Sequence, residues 1–468
     1  MIRTILAAAV AVLVAGCAVG PTYQAPPMHV AVQPGWTTQL PHAGNPAELS
    51  TWWTRFNDST LTKLIEQAEK TSPTMEQAAA RLRQARAAAG SADSQLLPSV
   101  NASASERRTS SAGITQTQKS RGFDASWELD LFGGKLRAVQ AADAQAEAAG
   151  LNWHQARVSL AAEVASTYFS LRQAQAAVAV ARQDAQSRAT TFELVSLKVA
   201  AGAAAPSEAD RAEASAAEGR SALAAQVGNC ERVQHQLALL TAMNEVSLAL
   251  ILEEGGALPA PTIEGFSSLP AQVLAQRPDV AAAERQLAAA SANIGVATAE
   301  FLPSISLAGS IGINTTTTGG GTLSARNWSF GPTISLPIFD GGRRAAALES
   351  ARASYDEARG AWNQAVLNAV QEVEDAMTRL ATSQARVADS ARAVDRYNAY
   401  FNATQAKFGA GAANLLELED ARRTALAARS TQLSLSLEHA QARVALYKAA
   451  GGGWNAPNTQ SLDENNNK

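Results

Sequence analysis

The sequence predicts an α+β membrane protein in which one module occurs twice, each copy joining a long α-helical hairpin to two transmembrane β-strands. Three observations carry that prediction. First, the chain repeats itself in register: "KVAAGAAAPSEADRA" from Lys198 returns as "KFGAGAANLLELEDA" from Lys407, so that Gly202 answers Gly411 and Glu208 answers Glu417 at a constant offset of 209. The same offset pairs Trp153 with Trp362 and Glu163 with Glu372, while "LPS" at 97–99 returns at 302–304. A period this long exceeds that of any solenoid unit and marks a duplicated half. Second, two long runs, about 135–199 and 342–408, contain no proline and are dominated by strong helix formers. Third, four short segments alternate apolar and polar residues with period two.

Composition bounds the function. The chain has 468 residues and a formal net charge of −3, with only 17% charged residues of mixed sign. That balance excludes a nucleic-acid binder, which needs a basic stripe to displace counterions. Five His and two Cys leave little material for metal or thiol chemistry. There is no phosphate-cradling glycine loop, spaced His cluster or nucleophile elbow, so the expectation is a protein that is not an enzyme and takes no metal or cofactor.

The N-terminus reads as a secretory signal over 1–16: one positive charge in "MIR", then the short apolar run "TILAAAVAVLVA". It ends in "VAGC", similar to the bacterial lipobox, after which Cys17 is lipidated and becomes the first residue. A triacylated Cys17 anchors a chain stably. Ala18 rather than Asp follows it, which resembles outer-membrane sorting. Residues 17–51, rich in Pro, Gly, Thr and Gln, read as an extended tether. Cys230 is then a lone thiol, read as a small buried hydrophobe.

Ordered structure opens with "WWTRFNDSTLTKLIEQA" (52–68), where Asp58 is the expected N-cap and Leu61, Leu64, Ile65 and Ala68 share a helical face. Trp52, Trp53 and Phe56 form an expected packing cluster. A second helix runs from Ser72 towards Leu97, with Arg81, Arg83 and Arg86 on its polar side and Pro98 ending it. At 1.5 Å per residue the first proline-free run makes a rod roughly 95 Å long. The return helices are expected at about 206–250 and 412–450, with Gly202 and Gly411 in the reversals and Pro206 in the first turn of a return helix. Abundant alanine lets such helices approach closely.

The alternating segments are 100–106, 121–132, 304–314 and 327–339. In the second, Phe123, Ala125, Trp127, Leu129 and Leu131 fall on one face and Asp124, Ser126, Glu128 and Asp130 on the other. One apolar face over about ten residues is the pattern of membrane strands. The polar stretches "RRTSSAGITQTQK" and "TTTTGGGTLSAR" are expected as exposed hairpin loops. Four strands do not close a barrel, and an open edge leaves backbone groups unsatisfied in lipid. Several chains must share one: two give eight strands, three give twelve.

Together, the lipobox, the "WW..F.D..L..LI" opening, the two half-repeats, "LPS" before each strand pair and the "K.GAG....LE..DA" tips resemble the outer membrane factor family. These are the TolC-like channels of tripartite efflux pumps, and the nearest likeness is to their NodT-type lipoproteins. The resemblance covers nearly the whole mature chain. It implies a homotrimer, with a shared 12-stranded β-barrel in the outer membrane and a periplasmic α-barrel of twelve helices. An equatorial region from 52–70, 245–275 and the C-terminal stretch surrounds the latter. The implied partners are outer-membrane lipid, a periplasmic adaptor (membrane fusion) protein docking on the tips at Lys198, Gly202, Lys407 and Gly411, and an inner-membrane transporter of the RND type. The domain plan is a first efflux repeat over 52–260, a second over 261–450 and a flexible tail over 451–468.

The family motif N-L-x-L-x-D-A-x-R is similar to "NLLELEDARR". It implies a periplasmic gate of Leu416 as hydrophobic plug, Asp420 as a ring of charge and Arg423 as its latch. Their spacing places them on one helix face. "APSEADRAEAS" keeps Glu208 and Asp210 but has no Leu or Arg at the matching places, so the gate is expected in the second hairpin alone. The implied function is a passive exit channel for drugs or other small toxic compounds. Exit of metal ions or of proteins by type I secretion are alternatives, and a non-conducting structural lipoprotein is the reading from another class.

Overall fold

The computed structural model describes residues 18–25, 52–54, 56–253, 258 and 277–452. The signal segment, Cys17, most of the expected tether, much of 245–275 and the tail beyond Gly452 lie outside the described residues. Twelve elements follow in chain order: α1 (Ser59–Thr71), α2 (Pro73–Ser94), β1 (Ser99–Ser111), β2 (Ile114–Leu129), α3 (Gly134–Ala200), α4 (Pro206–Thr241), α5 (Glu245–Leu252), α6 (Pro278–Ala299), β3 (Ser304–Thr318), β4 (Gly321–Ser335), α7 (Arg343–Gly409) and α8 (Leu415–Ala449). The two proline-free runs are single helices of 67 residues each.

The chain divides into two compact units. The first comprises Met1–His29, Ala80–Asn152 and Ala281–Ala365. It holds an antiparallel sheet of order β1-β2-β3-β4. Its register stacks the alternating segments as their pattern requires: Phe123 opposes both Ala102 and Ile311, Ile311 opposes Trp328, and Ile305 opposes Leu129 and Ile334. One face is therefore apolar, and its large side chains are exposed, Trp328 by 78% and Phe330 by 70%. The other carries Asn101, Asp124, Ser310 and Ser329, which oppose one another in register. Among the described residues no single helix is long and apolar enough to cross a membrane.

The strands correct one expectation. Both polar stretches taken for loops are strand almost throughout, and the hairpins turn in two residues, Ala112–Gly113 and Gly319–Gly320. Ala112 and Gly113 both have positive φ, 50° and 82°, the twist a tight hairpin needs. Beyond the apolar band the ladder is reinforced by hydroxyl pairs, Ser105–Ser120 at 2.7 Å and Thr315–Ser324 at 2.9 Å.

Where strands meet helices, Asp130 accepts from the Leu136 N–H at 2.7 Å. Asp340 accepts from the N–H groups of Gly342 and Arg344, both at 3.1 Å. The segment 18–25 is pinned to this end of the unit. The Val19 N–H donates to the Phe132 carbonyl at 3.0 Å, and Arg137 donates to the Val19 carbonyl at 3.1 Å. Gly20, at φ +92°, meets Gly295 so closely that an added Cβ would lie 2.4 Å from its Cα. Tyr23 donates to Glu284 at 2.5 Å. Ala141, Ala144, Ala288, Ala289 and Ala292 form the small-residue core between α3 and α6.

The second unit comprises Val30–Ala79, Trp153–Val280 and Val366–Lys468, and contains the largest core. Asp58 caps α1, accepting from the N–H groups of Thr60 and Leu61 at 2.9 and 3.1 Å, and takes the Tyr168 hydroxyl at 2.5 Å. Burial, and then this bond to Asp58, hold the Tyr168 hydroxyl above its usual range. Leu61, Leu64 and Ile65 are fully buried, each worth about 1.5–3 kcal/mol on leaving water. Trp52 stacks on Tyr447 at 4.2 Å, and Phe56 meets Phe169 at 4.9 Å.

The first return helix is shorter than expected. It ends at Thr241, where Ala242 takes φ +50°, and Asn244 then caps α5 by accepting from the Ser247 N–H. The second starts later than 412, at Leu415, behind its cap Asn414.

Candidate functional site

Two helix reversals lie together in the second unit. α3 ends in a double closure: the Gly202 N–H donates to Val199 at 2.9 Å and the Ala203 N–H to Lys198 at 2.8 Å. α7 repeats it, with Gly411 donating to Phe408 at 3.1 Å and Ala412 to Lys407 at 2.8 Å. Gly202 and Gly411 hold φ of +72° and +77°, a left-handed cap that costs glycine no Cβ clash. The return helices start differently. α4 has Pro206 in its first turn and no side-chain cap. α8 has Asn414, whose Oδ1 accepts from the Glu417 N–H at 2.9 Å while its Nδ2 donates to the Glu417 carboxylate at 3.0 Å.

The two tips share a core of Val195, Ala212, Phe408, Leu415 and Leu418. Lys198 crosses to the second tip: its Nζ lies 4.5 Å from the centre of the Phe408 ring and donates to the Phe408 carbonyl at 3.4 Å. Lys407 is exposed. The two lysines at equivalent positions thus have different surroundings, one spent between the tips and one in solvent.

α8 presents two faces. Leu416, Asp420 and Arg423 are all exposed, Leu416 by 57%, and Arg423 donates to Asp420 at 2.5 Å. The structure therefore brings the three expected gate residues onto one exposed stripe. Leu415, Leu418, Ala421 and Arg422 face inward and are buried.

Arg422 is the residue sequence reasoning missed. It is 2% exposed and joins helices α3 and α8: it donates to Thr191 Oγ1 at 2.7 Å and Ser187 Oγ at 3.3 Å, pairs with Glu419, and lies 4.0 Å from Asp184. Arg188 closes the cluster, binding Asp184 at 2.8 Å and the Ser215 hydroxyl at 2.8 Å. Ser215 donates to Glu419 at 3.1 Å. A cluster of two arginines and two acids, with Arg422 buried and Arg188, Asp184 and Glu419 half-buried, is thus shared by α3, α4 and α8. The signal was available: Glu419 and Arg422 continue the buried Leu415–Leu418 row at helical spacing. Among the described residues no group of three or more His, Cys, Asp or Glu is placed to hold a metal ion.

A family model described as outer membrane efflux protein matches residues 64–244 and 269–452. Nodulation protein T of Rhizobium leguminosarum bv. trifolii is 30% identical over 455 residues, covering 95% of this chain and 96% of that protein. The toluene efflux pump outer membrane protein TtgF of Pseudomonas putida is 30% identical over 487 residues, covering 98% of this chain and 99% of that one. Among solved structures, the outer-membrane channel OprN superposes with a TM-score of 0.81 at 32% identity, covering 94% of this chain and all of that one.

Proposed function

The chain belongs to the outer membrane efflux protein family, and we propose that three copies of it form the passive exit duct of a tripartite pump for drugs or other small toxic compounds. The protein resides in the outer membrane, with a periplasmic portion. The observation that carries the proposal is the four-stranded sheet: one face is apolar and exposed, and β1 and β4 are open edges. In lipid each unpaired edge group costs several kcal/mol, so edges must pair between copies. Three copies make a 12-stranded barrel, wide enough to conduct.

The two halves are read as copies of one module. Two helices of equal length, the same closure at Gly202 and Gly411, and two successive matches to one family model support that reading. The exposed tips are the surface on which a periplasmic adaptor would dock, coupling the duct to an inner-membrane transporter of the RND type. Lys407 is the lysine free to meet it. The stripe Leu416–Asp420–Arg423 is the periplasmic gate, three copies converging as a dry ring backed by charge. Lipidation at Cys17 fits the position of the residues just after it, which are bonded to Phe132 and Arg137 at the helix end of the sheet. An acyl anchor there enters the periplasmic leaflet. Cys17→Ser then abolishes palmitate incorporation, and label retained by the variant contradicts the anchor.

The test of the duct is cross-linking of detergent-solubilised protein with conductance in planar bilayers. A trimer that conducts is expected. A monomer that conducts, or a trimer that stays silent even when Leu416→Ala with Asp420→Ala opens the gate, overturns the reading.

A further inference from the structure

The apolar face of the sheet changes character at one row. From the helix end outward its rows remain apolar as far as Ile311, flanked by Phe123 and Trp328. In the next row Ile313 is flanked by Arg121 and Arg326. Eight residues separate Ile305 from Ile313, about 27 Å along a strand. At the 35–45° tilt of barrel strands this is about 20 Å of depth, most of the ~25 Å apolar band, and sets the two arginines at its outer margin.

Both arginines are exposed, and neither forms an ion pair among the described residues. They sit two strand spacings apart, about 10 Å, two like charges on one face. Lys119 is answered by Glu106 at 3.3 Å, and at the helix end Lys135 by Glu128 at 3.3 Å and Arg343 by Glu300 at 3.8 Å; Arg107 and Arg108, further out on β1, form no ion pair among the described residues. Uncompensated arginines thus gather at the outer end, and Arg121 and Arg326 are the two that flank Ile313 on the apolar face. Below it lies a groove of about 640 Å³ lined by Phe123, Ile311 and Trp328, with Arg121 and Arg326 at its rim. An apolar groove capped by two guanidinium groups complements an acyl chain ending in an anion. The planar fork of arginine suits phosphate in particular, binding two oxygens at once.

We propose that Arg121 and Arg326 bind the phosphate of an acylated lipid in the outer leaflet, with its acyl chains lying over Phe123, Ile311 and Trp328. The proposal rests on the reading that the sheet spans the outer membrane with its apolar face to lipid. The site tightens the barrel's hold on the leaflet and sets its height in the membrane.

Native mass spectrometry of the full-length protein in detergent, titrated with lipid A, dephosphorylated lipid A and inorganic phosphate, tests it. Lipid A is expected to bind, and its dephosphorylated form to bind at least about tenfold more weakly. Arg121→Gln with Arg326→Gln removes that preference, and Arg121→Lys with Arg326→Lys keeps the charge but loses the two-oxygen fork and restores only part of it. Arg107→Gln, on the opposite sheet face, leaves it unchanged. Equal binding of the two lipids, an equal loss in Arg107→Gln, or inorganic phosphate binding as tightly as lipid A overturns the site. Conductance of the glutamine pair separates this proposal from the duct: a conducting variant whose lipid preference is unaltered sinks the lipid site alone.

Discussion

The two helix reversals have the same backbone and different side chains. Both close through glycine at φ near +75°, with the same two carbonyls accepting. Beyond the turn they part. The first return helix opens on Pro206 and shows exposed Ser207, Glu208 and Arg211; the second opens on an Asn414 cap and shows Leu416, Asp420 and Arg423, with Arg422 buried behind them. The turn is a problem of chain geometry with few solutions, so both copies solve it alike. The surface beyond it is free to diverge, and there a second role can be added to one copy without disturbing the other.

The largest test of this contrast concerns adjacent arginines. Arg422→Ala removes a buried base and leaves Glu419, Thr191 and Ser187 without its hydrogen bonds, while Asp184 keeps Arg188, a cost of about 1–3 kcal/mol. Arg423→Ala removes half of an exposed pair worth about 0.2–1 kcal/mol. Thermal unfolding of the two variants should differ by a few degrees. Equal shifts would mean that α8 does not have the two faces described.

Next comes the shared backbone. Gly202→Ala and Gly411→Ala each force a Cβ into left-handed space, for about 1–2 kcal/mol. Nothing lies within 4 Å of either added Cβ, so the two losses should match. A large difference between them would break the equivalence of the turns. The caps are the point of asymmetry. Asn414→Ala should cost about 1 kcal/mol, while Ala205→Asn should recover a comparable amount in the first tip. Denaturant unfolding reads both, and no effect at Asn414 would contradict the capping geometry.

Much of this was legible in the sequence. The long helices appear as proline-free, alanine-rich runs because nothing in them competes with the helix, and their ends are marked by glycine and proline. The outer halves of the strands were not legible. Arg107 to Ser111 and Thr315 to Thr318 alternate no apolar face, since they lie above the apolar band and are held by the backbone ladder and hydroxyl pairs. The end of α4 was hidden because Ala242, not glycine, takes the left-handed conformation there. Arg422 was hidden by its neighbour: an Arg-Arg pair reads as solvated surface, and only its phase relative to Leu415 and Leu418 separates the buried member from the exposed one.

Resting conductance of the reconstituted trimer tests the gate assigned to the second tip most directly. With three latch pairs of about 0.2–1 kcal/mol each, losing them shifts the open-to-closed ratio by between about threefold and about a hundredfold. Leu416→Ala with Asp420→Ala, which also removes the apolar ring, should raise resting conductance across that range and sensitise cells to a bulky antibiotic such as vancomycin. Ser207→Ala with Arg211→Ala, at the equivalent positions of the first tip, should leave conductance near that of the unaltered protein. Equal leak from the two pairs would contradict a gate carried by the second tip alone.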